Sequence, residues 1–210
     1  MKNRFYALWL AAICILVFLL QVFIKSFTDL FVLDQAYPLE VWRFLTSIFL
    51  HGGIGHLVVN MFALALFGSI LESLIGSKRF LMVFFVSGIM ANIISFSFYP
   101  SSLGASGAIM GVIGALVIVK PLLTVWAFGM PMPMFIAGII WVAVDLLGAV
   151  SYLSGNPLDN TGNIAHLSGM FFGIVLGLFY REWKKKEIQE NRMDLNENYV
   201  RSWEDFHMKK

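Results

Sequence analysis

The amino-acid sequence predicts an all-α, polytopic membrane protein with six transmembrane helices. Hydrophobic residues make up 59% of the 210 residues and charged residues only 13%, and the mean hydropathy is +0.77. Soluble domains of this size do not have such a composition. Apolar stretches of about 20 residues or somewhat less, enough to cross a hydrocarbon core, recur with short polar breaks. The six predicted spans are 7–26, 56–75, 80–99, 105–120, 133–152 and 163–181.

The first span follows Lys2 and Arg4, as the apolar part of a secretory signal would. Its apolar run continues to Ile24, however, and no small-x-small cleavage site ends it. We therefore expect a helix that is retained. Cys14 is the single cysteine and lies in this helix, which excludes an intrachain disulfide and a cysteine-based mechanism.

The segment 27–55 is too long for a tight turn, and Asp, Pro and Gly interrupt it too often for a span. It is predicted to lie at the membrane interface, where an amphipathic indole such as that of Trp42 is favoured. The guanidinium of Arg43 is expected to reach lipid headgroup phosphates there.

The cationic residues indicate the orientation of the chain. With six spans, one side holds Lys2, Arg4, Lys78, Arg79, Lys120 and the cluster 181–186. That side is cytoplasmic by the positive-inside rule, so both termini are expected there. The outer side holds the segment 27–55, the turn near Pro100 and the turn from Asn156 to Asn160. Because topology accounts for the positions of the basic residues, the net charge of +2 says nothing about binding partners. Nucleic-acid binding is therefore not predicted.

Two units are expected along the chain. Residues 1–183 form the membrane domain, and residues 184–210 form a charged cytoplasmic tail, helical or disordered. Lys184, Lys185 and Lys186 fit a solvated topology signal better than a specific lipid site.

Ser106 lies where a short turn enters the fourth predicted span, next to Gly104 and Gly107. A serine near a helix N-terminus has unpaired backbone N–H groups beside it, and these can donate to a developing oxyanion. A hydroxyl can act as a nucleophile if a base within reach takes its proton. The alternative is helix packing, because Gly107, Gly111 and Ala115 form a face of small residues whatever Ser106 does.

His166 lies at the start of the sixth predicted span. Gly169, Gly173 and Gly177 follow on nearly the same helical face, which can approach another backbone closely. Pairing this face with the glycine face of the fourth span would bring His166 towards Ser106. A histidine in a span can also serve only as an interhelical hydrogen-bonding residue, but an ionisable group at membrane depth is a functional candidate.

His56 and Asn60 are four residues apart at the start of the second span and share a helical face. Their side chains could hold an oxyanion, bond to each other or line a water-filled crevice. A metal site is not predicted, because His51, His56 and His166 are irregularly placed and no acidic residue completes a zinc motif.

Asn92 and Asp145 are polar residues in the third and fifth predicted spans. The favoured interpretation is that each is buried and hydrogen-bonded to a neighbouring helix, and a role in gating or stability is the alternative.

In order and spacing, these motifs resemble the rhomboid family of intramembrane serine proteases over about residues 40–180. The matching positions are Trp42-Arg43, Thr46, His51, His56, Asn60, Glu72, Gly76, Gly104-Ala105-Ser106-Gly107, Ala165-His166, Gly169 and Gly173. The resemblance implies the six-helix rhomboid-like bundle in its minimal prokaryotic form, with an interfacial loop between the first two helices. It implies a multi-pass protein of a prokaryotic cell membrane that needs no cofactor.

The resemblance also implies roles for individual residues. Ser106 would be the nucleophile and His166 the base of a Ser–His dyad with no third, acidic member. His56, Asn60 and the backbone N–H of Ser106 would form the oxyanion hole. Substrates would be single-pass transmembrane proteins, cut near the outer end of their helix at small residues in helix-destabilising sequence. The moving gate would involve Met130–Pro133 and the span after it.

Two other classes of function remain open to the sequence. A rhomboid-like protein that binds membrane clients without cutting them is disfavoured, because such relatives usually lack the serine or the histidine. A small transporter or channel would be expected to contain inverted repeats, and the sequence shows no convincing repeat.

Overall fold

The computed structural model describes residues 5–158 and 161–207. Six helices of fourteen or more residues account for most of this part of the chain: α1 Tyr6–Phe23, α2 Ile54–Ile75, α3 Ser77–Ser95, α4 Ser106–Val119, α5 Met134–Leu153 and α6 Asn163–His207. A π-helical turn, Leu64–Gly68, interrupts α2. Lys2, Arg4 and Asn160, which entered the predicted topology, lie outside the described residues.

Five of these helices, all except α4, are long and apolar enough to cross a membrane. Helix α4 is apolar but has only 14 residues, so the fourth predicted span, 105–120, and with it the count of six spans stay predictions. Its residues from Gly107 to Leu116 are all buried, and it packs against α3 and α6. A helix that is hydrophobic all round belongs in the interior of a bundle, and α4 is the central helix here.

Glycines let α4 and α6 pack backbone to backbone. A Cβ added to Gly169 would overlap the carbonyl oxygen of Gly107, and one added to Gly173 would overlap that of Gly111. One turn further on, a Cβ at Gly177 would stand 3.1 Å from the Cα of Ala115. The predicted pairing of these two faces is therefore confirmed.

Helix α1 is attached to the bundle through the buried carboxylate of Glu72. This carboxylate accepts hydrogen bonds from the backbone N–H groups of Tyr6 and Ala7, at 3.1 and 3.0 Å, and from the hydroxyl of Ser77 at 2.6 Å. The N–H groups of a first helical turn have no partner within the helix, and a negative charge is favoured beside them. Glu72 thus caps α1 from a different helix.

The segment between α1 and α2 contains two short helices, Phe27–Phe31 and Arg43–Thr46, followed by the 3₁₀ turn Ser47–Phe49. Its strand β1, Leu33–Asp34, pairs antiparallel with β2, Ser101–Ser102. The amide of Asn92 donates to the carbonyl oxygen of Phe44 and to Ser47 Oγ, at 2.8 and 2.9 Å. Asn92 is therefore buried and hydrogen-bonded as predicted, and it fixes this segment to α3. The interfacial position of the segment stays a prediction.

Arg43 does not extend towards lipid phosphates, contrary to our expectation. Its residue surface is only 4% exposed, and its guanidinium donates to the carbonyl oxygens of Asp29 and Val32 and pairs with Glu40. The loop carbonyls need donors once they are buried, and the five donors of a guanidinium can satisfy several of them together. Trp42 beside it is half-exposed.

Strands β3, Thr124–Ala127, and β4, Met130–Pro133, form a hairpin between α4 and α5. Its turn has positive φ at Phe128 and Gly129, 53° and 80°. The hairpin follows the C-terminal end of α4, about 21 Å from Ser106 along the helix axis. Met130–Pro133 therefore lies at the opposite end of α4 from Ser106, so the prediction that this loop covers the site was wrong, while a gating role of the span after it, α5, stays a prediction.

Candidate active site

Ser106 is the first residue of α4, and a tight backbone turn presents it there. Gly104 has φ +125°, a conformation that residues with a side chain rarely adopt, and its N–H donates to the carbonyl oxygen of Ser47 at 2.9 Å. The first backbone hydrogen bond of α4 is donated by the N–H of Ile109 to the carbonyl oxygen of Ala105. The N–H groups of Ser106 and Gly107 therefore have no acceptor within the helix.

His56 and Ser106 meet at Gly104. An ideal Cβ built on Gly104 would stand 2.9 Å from His56 Nε2 and 3.8 Å from Ser106 Oγ. The imidazole and the hydroxyl therefore lie on the same side of the Gly104 backbone, in space that only a glycine leaves open. His56 is exposed and Ser106 partly buried.

Asn60 lies one turn further along α2 than His56. It is 5% exposed, and within the described part of the chain its amide nitrogen has no hydrogen-bond partner. Buried polar groups are normally paired, and each exception needs a reason. A buried donor without a partner is the kind of group from which an oxyanion hole is built.

His51 lies beside His56, with 5.1 Å between the ring centroids. Its backbone N–H and carbonyl oxygen are both bonded to the amide of Gln21, and its Nδ1 is 3.2 Å from the carbonyl oxygen of Phe49. Burial, with a smaller effect of the His56 ring, lowers the pKa of His51 to about 4. Burial therefore favours the neutral form of His51, whose ring packs edge-on against that of His56.

His166 lies in the first turn of α6, close to the start of α4. A Cβ added to Gly107 would stand 3.6 Å from the carbonyl oxygen of Ala165, so the two helix N-termini are adjacent. Nδ1 of His166 is 3.0 Å from Oδ1 of Asp145, and the His166 side chain is 16% exposed. None of the described hydrogen bonds joins Ser106 Oγ to the imidazole, although such bonds are often long before substrate binds.

The sequence-predicted site residues thus come from three helices, α2, α4 and α6, and they lie at one end of the bundle. His56 and Ser106 are brought together at Gly104, while direct contact between Ser106 and His166 stays a prediction. Within residues 5–158 and 161–207, no cluster of three or more His, Cys, Asp or Glu side chains could hold a metal ion.

The resemblance implied a dyad with no third, acidic member, whereas His166 has an acidic neighbour in Asp145. The sequence indicated that Asp145 would be buried and bonded to a neighbouring helix, and this is what the structure contains. An ionisable residue in the middle of a span was the available signal. The identity of its partner could not be read from the sequence, because the two residues are 21 positions apart on separate helices.

Comparison with known proteins connects this arrangement to one family. Residues 38–183 match the family model described as the Rhomboid domain. Rhomboid protease GluP of Bacillus subtilis is 43% identical over 142 residues, which cover 66% of this chain and 27% of that protein. RHOMBOID-like protein 6, mitochondrial, of Arabidopsis thaliana is 34% identical over 142 residues, 66% of this chain and 43% of that protein.

Rhomboid protease GlpG of Haemophilus influenzae is 29% identical over 187 residues, which cover 86% of this chain and 93% of that protein. The chain therefore spans less than half the length of GluP and the Arabidopsis relative but nearly all of GlpG.

Proposed function

This chain belongs to the rhomboid family, and on that premise we propose that it is an intramembrane serine endopeptidase in which Ser106 is the nucleophile and His166 the general base. The family is known for intramembrane serine proteases, and several apolar helices make the chain a multi-pass integral membrane protein. The observation that carries the proposal is the meeting of Ser106 and His56 at Gly104, where the serine hydroxyl and the imidazole lie on the same side of the glycine backbone.

In the proposed reaction, Nε2 of His166 takes the proton of Ser106 Oγ as the oxygen attacks the scissile carbonyl carbon. The tetrahedral intermediate expels the amine of the leaving segment, which receives that proton from His166, and an acyl-enzyme ester remains at Ser106. A water molecule, deprotonated by His166, then attacks the ester and regenerates the serine. General base catalysis of this kind contributes roughly 10²- to 10⁴-fold in rate.

The negative charge on the carbonyl oxygen would be stabilised by the backbone N–H of Ser106 and by the side chains of His56 and Asn60. The unpartnered amide nitrogen of Asn60 supports this role, because donors fixed before the reaction need no reorganisation as charge develops.

The short length of α4 supports a site that lies below the membrane surface. Its 14 residues span about 21 Å, against roughly 30 Å for the hydrocarbon core. If α4 ends at the cytoplasmic face, Ser106 lies about 9 Å beneath the outer face. Exposed His56 and the partly buried hydroxyl of Ser106 would then line a cavity that admits water from outside.

The proposed substrates are single-pass transmembrane proteins that enter from the side. A scissile bond within a helix is protected by its hydrogen bonds, so cleavage near the outer end at small residues, with helix-destabilising neighbours, requires the least unwinding. We place both termini in the cytoplasm, as the distribution of cationic residues predicts.

The test is cleavage of a transmembrane reporter in liposomes that contain the purified protein. The reporter carries small residues near the outer end of its helix, with a matched reporter in which these are replaced by leucines. We expect the wild type to cut the first reporter. We expect Ser106→Ala and His166→Ala to be inactive, although their thermal melting curves show that each variant is folded. Cleavage that survives Ser106→Ala would overturn the proposal. No cleavage by folded wild type across several reporters would favour a client-binding protein instead.

A further inference from the structure

We propose that Asp145 is a positioning residue for His166, so that the site contains an acidic third member that holds the general base in its working tautomer and orientation. This inference rests on the proposed function and adds a residue to the same site. Asp145 reaches the site from α5, a helix that provides none of the other proposed site residues.

The contact is direct and largely removed from solvent. Oδ1 of Asp145 is 3.0 Å from Nδ1 of His166, and Asp145 is only 5% exposed. A carboxylate that is buried without a partner is strongly disfavoured. Of the hydrogen bonds in the described residues, the one that the Asp145 carboxylate makes is with His166, which makes the imidazole its specific partner.

This contact determines which ring nitrogen is free to act as a base. An ionised carboxylate only accepts hydrogen bonds, so we assign the proton of the neutral imidazole to Nδ1. The lone pair is then on Nε2, the nitrogen that must take the proton of Ser106 Oγ. In the opposite tautomer, Nε2 would carry a proton and could not act as the base. When His166 becomes positively charged during attack, the carboxylate also stabilises that charge.

The packing of α5 against α6 holds the two residues in register. Gly148 lies three residues after Asp145, and Asn163 three residues before His166. A Cβ added to Gly148 would overlap the side chain of Asn163. Gly148 therefore lets α5 approach α6 closely, one turn away from the Asp145–His166 contact. The Gly148–Asn163 and Asp145–His166 contacts together fix the relative position of the two helices.

The experiment compares kcat and KM for the wild type, Asp145→Asn and Asp145→Leu in the liposome assay. Asparagine keeps an oxygen that can accept from Nδ1 but removes the charge, and leucine removes both. We expect kcat to fall roughly tenfold for Asp145→Asn and roughly 100-fold for Asp145→Leu, with KM within about twofold of wild type, because general base catalysis is impaired and substrate binding is not. The thermal midpoints should stay near that of wild type.

Glu72→Gln is the matched control, since Glu72 is also a buried carboxylate, but it belongs to α2 and bonds to the first turn of α1. Once folded, this variant should keep the wild-type kcat. If Ser106→Ala and His166→Ala are inactive while both Asp145 variants keep kcat within about twofold, the positioning role is overturned and the proposed function stands. A loss of kcat that parallels a loss of thermal stability, or a change confined to KM, would also overturn it. Cleavage by Ser106→Ala would overturn the proposed function itself.

Discussion

At the scale of single residues, the candidate site contains a hydrogen-bond donor that has no partner among the described residues. The amide nitrogen of Asn60 is buried and unpartnered among the described residues, so the fold gains no hydrogen bond from it. A polar group held in this way costs stability. In the proposed reaction, this donor would bind the oxyanion formed during attack by Ser106.

Asn60→Ala should therefore lower kcat by roughly 100- to 1000-fold, which is the effect of removing one oxyanion-hole donor. Thermal stability should stay the same or rise, because no hydrogen bond of that nitrogen is lost and alanine favours helices. The measurement pairs liposome kinetics with the thermal midpoint.

Ser87→Ala is the control for this prediction, because Ser87 Oγ is another buried atom without a partner in the described part of the chain. It lies within α3, where the account gives it no role in catalysis, and its removal should leave kcat unchanged. Equal losses of kcat in Asn60→Ala and Ser87→Ala would refute the oxyanion role of Asn60.

At the scale of helices, the close packing of α4 and α6 brings the ends that carry Ser106 and His166 together. This packing depends on glycines whose missing Cβ atoms leave room for the carbonyl oxygens of the opposite helix. A side chain there would force two central helices apart.

Gly173→Ala tests the interface, because the added Cβ would overlap the carbonyl oxygen of Gly111. We expect the free energy of unfolding to fall by about 3 kcal/mol and the thermal midpoint to fall by about 6–12 °C. Gly55→Ala is the control, since a Cβ on Gly55 meets nothing within 4 Å. A Gly173→Ala midpoint equal to that of the control would contradict the packing described here.

Helix–helix pairing could be predicted from the sequence because glycine spacing is a local pattern. The direction of the Arg43 side chain could not be predicted from the sequence, because an arginine at a membrane interface can extend towards lipid or towards the protein. The carbonyl oxygens to which it donates belong to residues 11 and 14 positions earlier in the chain. The resemblance implied a gate at Met130–Pro133, but these residues follow the C-terminal end of α4, whereas Ser106 is at its N-terminal end. The partner of Asp145 depended on the register of α5 against α6, which the spans did not fix.

At the scale of the whole molecule, the two ends of the bundle differ in chemistry. Lys120, Arg181, Lys184 and Lys185 line one groove where α4 ends, and the guanidinium of Arg79 stacks on Trp183 at 3.9 Å from the ring centroid. The candidate active site lies at the opposite end of α4. This separation supports the proposed orientation, in which the cationic end is cytoplasmic and the candidate site faces the outer side.

The most direct test of the account is labelling with a membrane-impermeant fluorophosphonate, a reagent that attaches to activated serines. The probe is added to sealed vesicles of either orientation, and mass spectrometry locates the adduct. The account predicts an adduct on Ser106 that forms in right-side-out vesicles, is much weaker in inside-out vesicles and is absent in His166→Ala. An adduct on another residue, or labelling of His166→Ala at the wild-type rate, would contradict it.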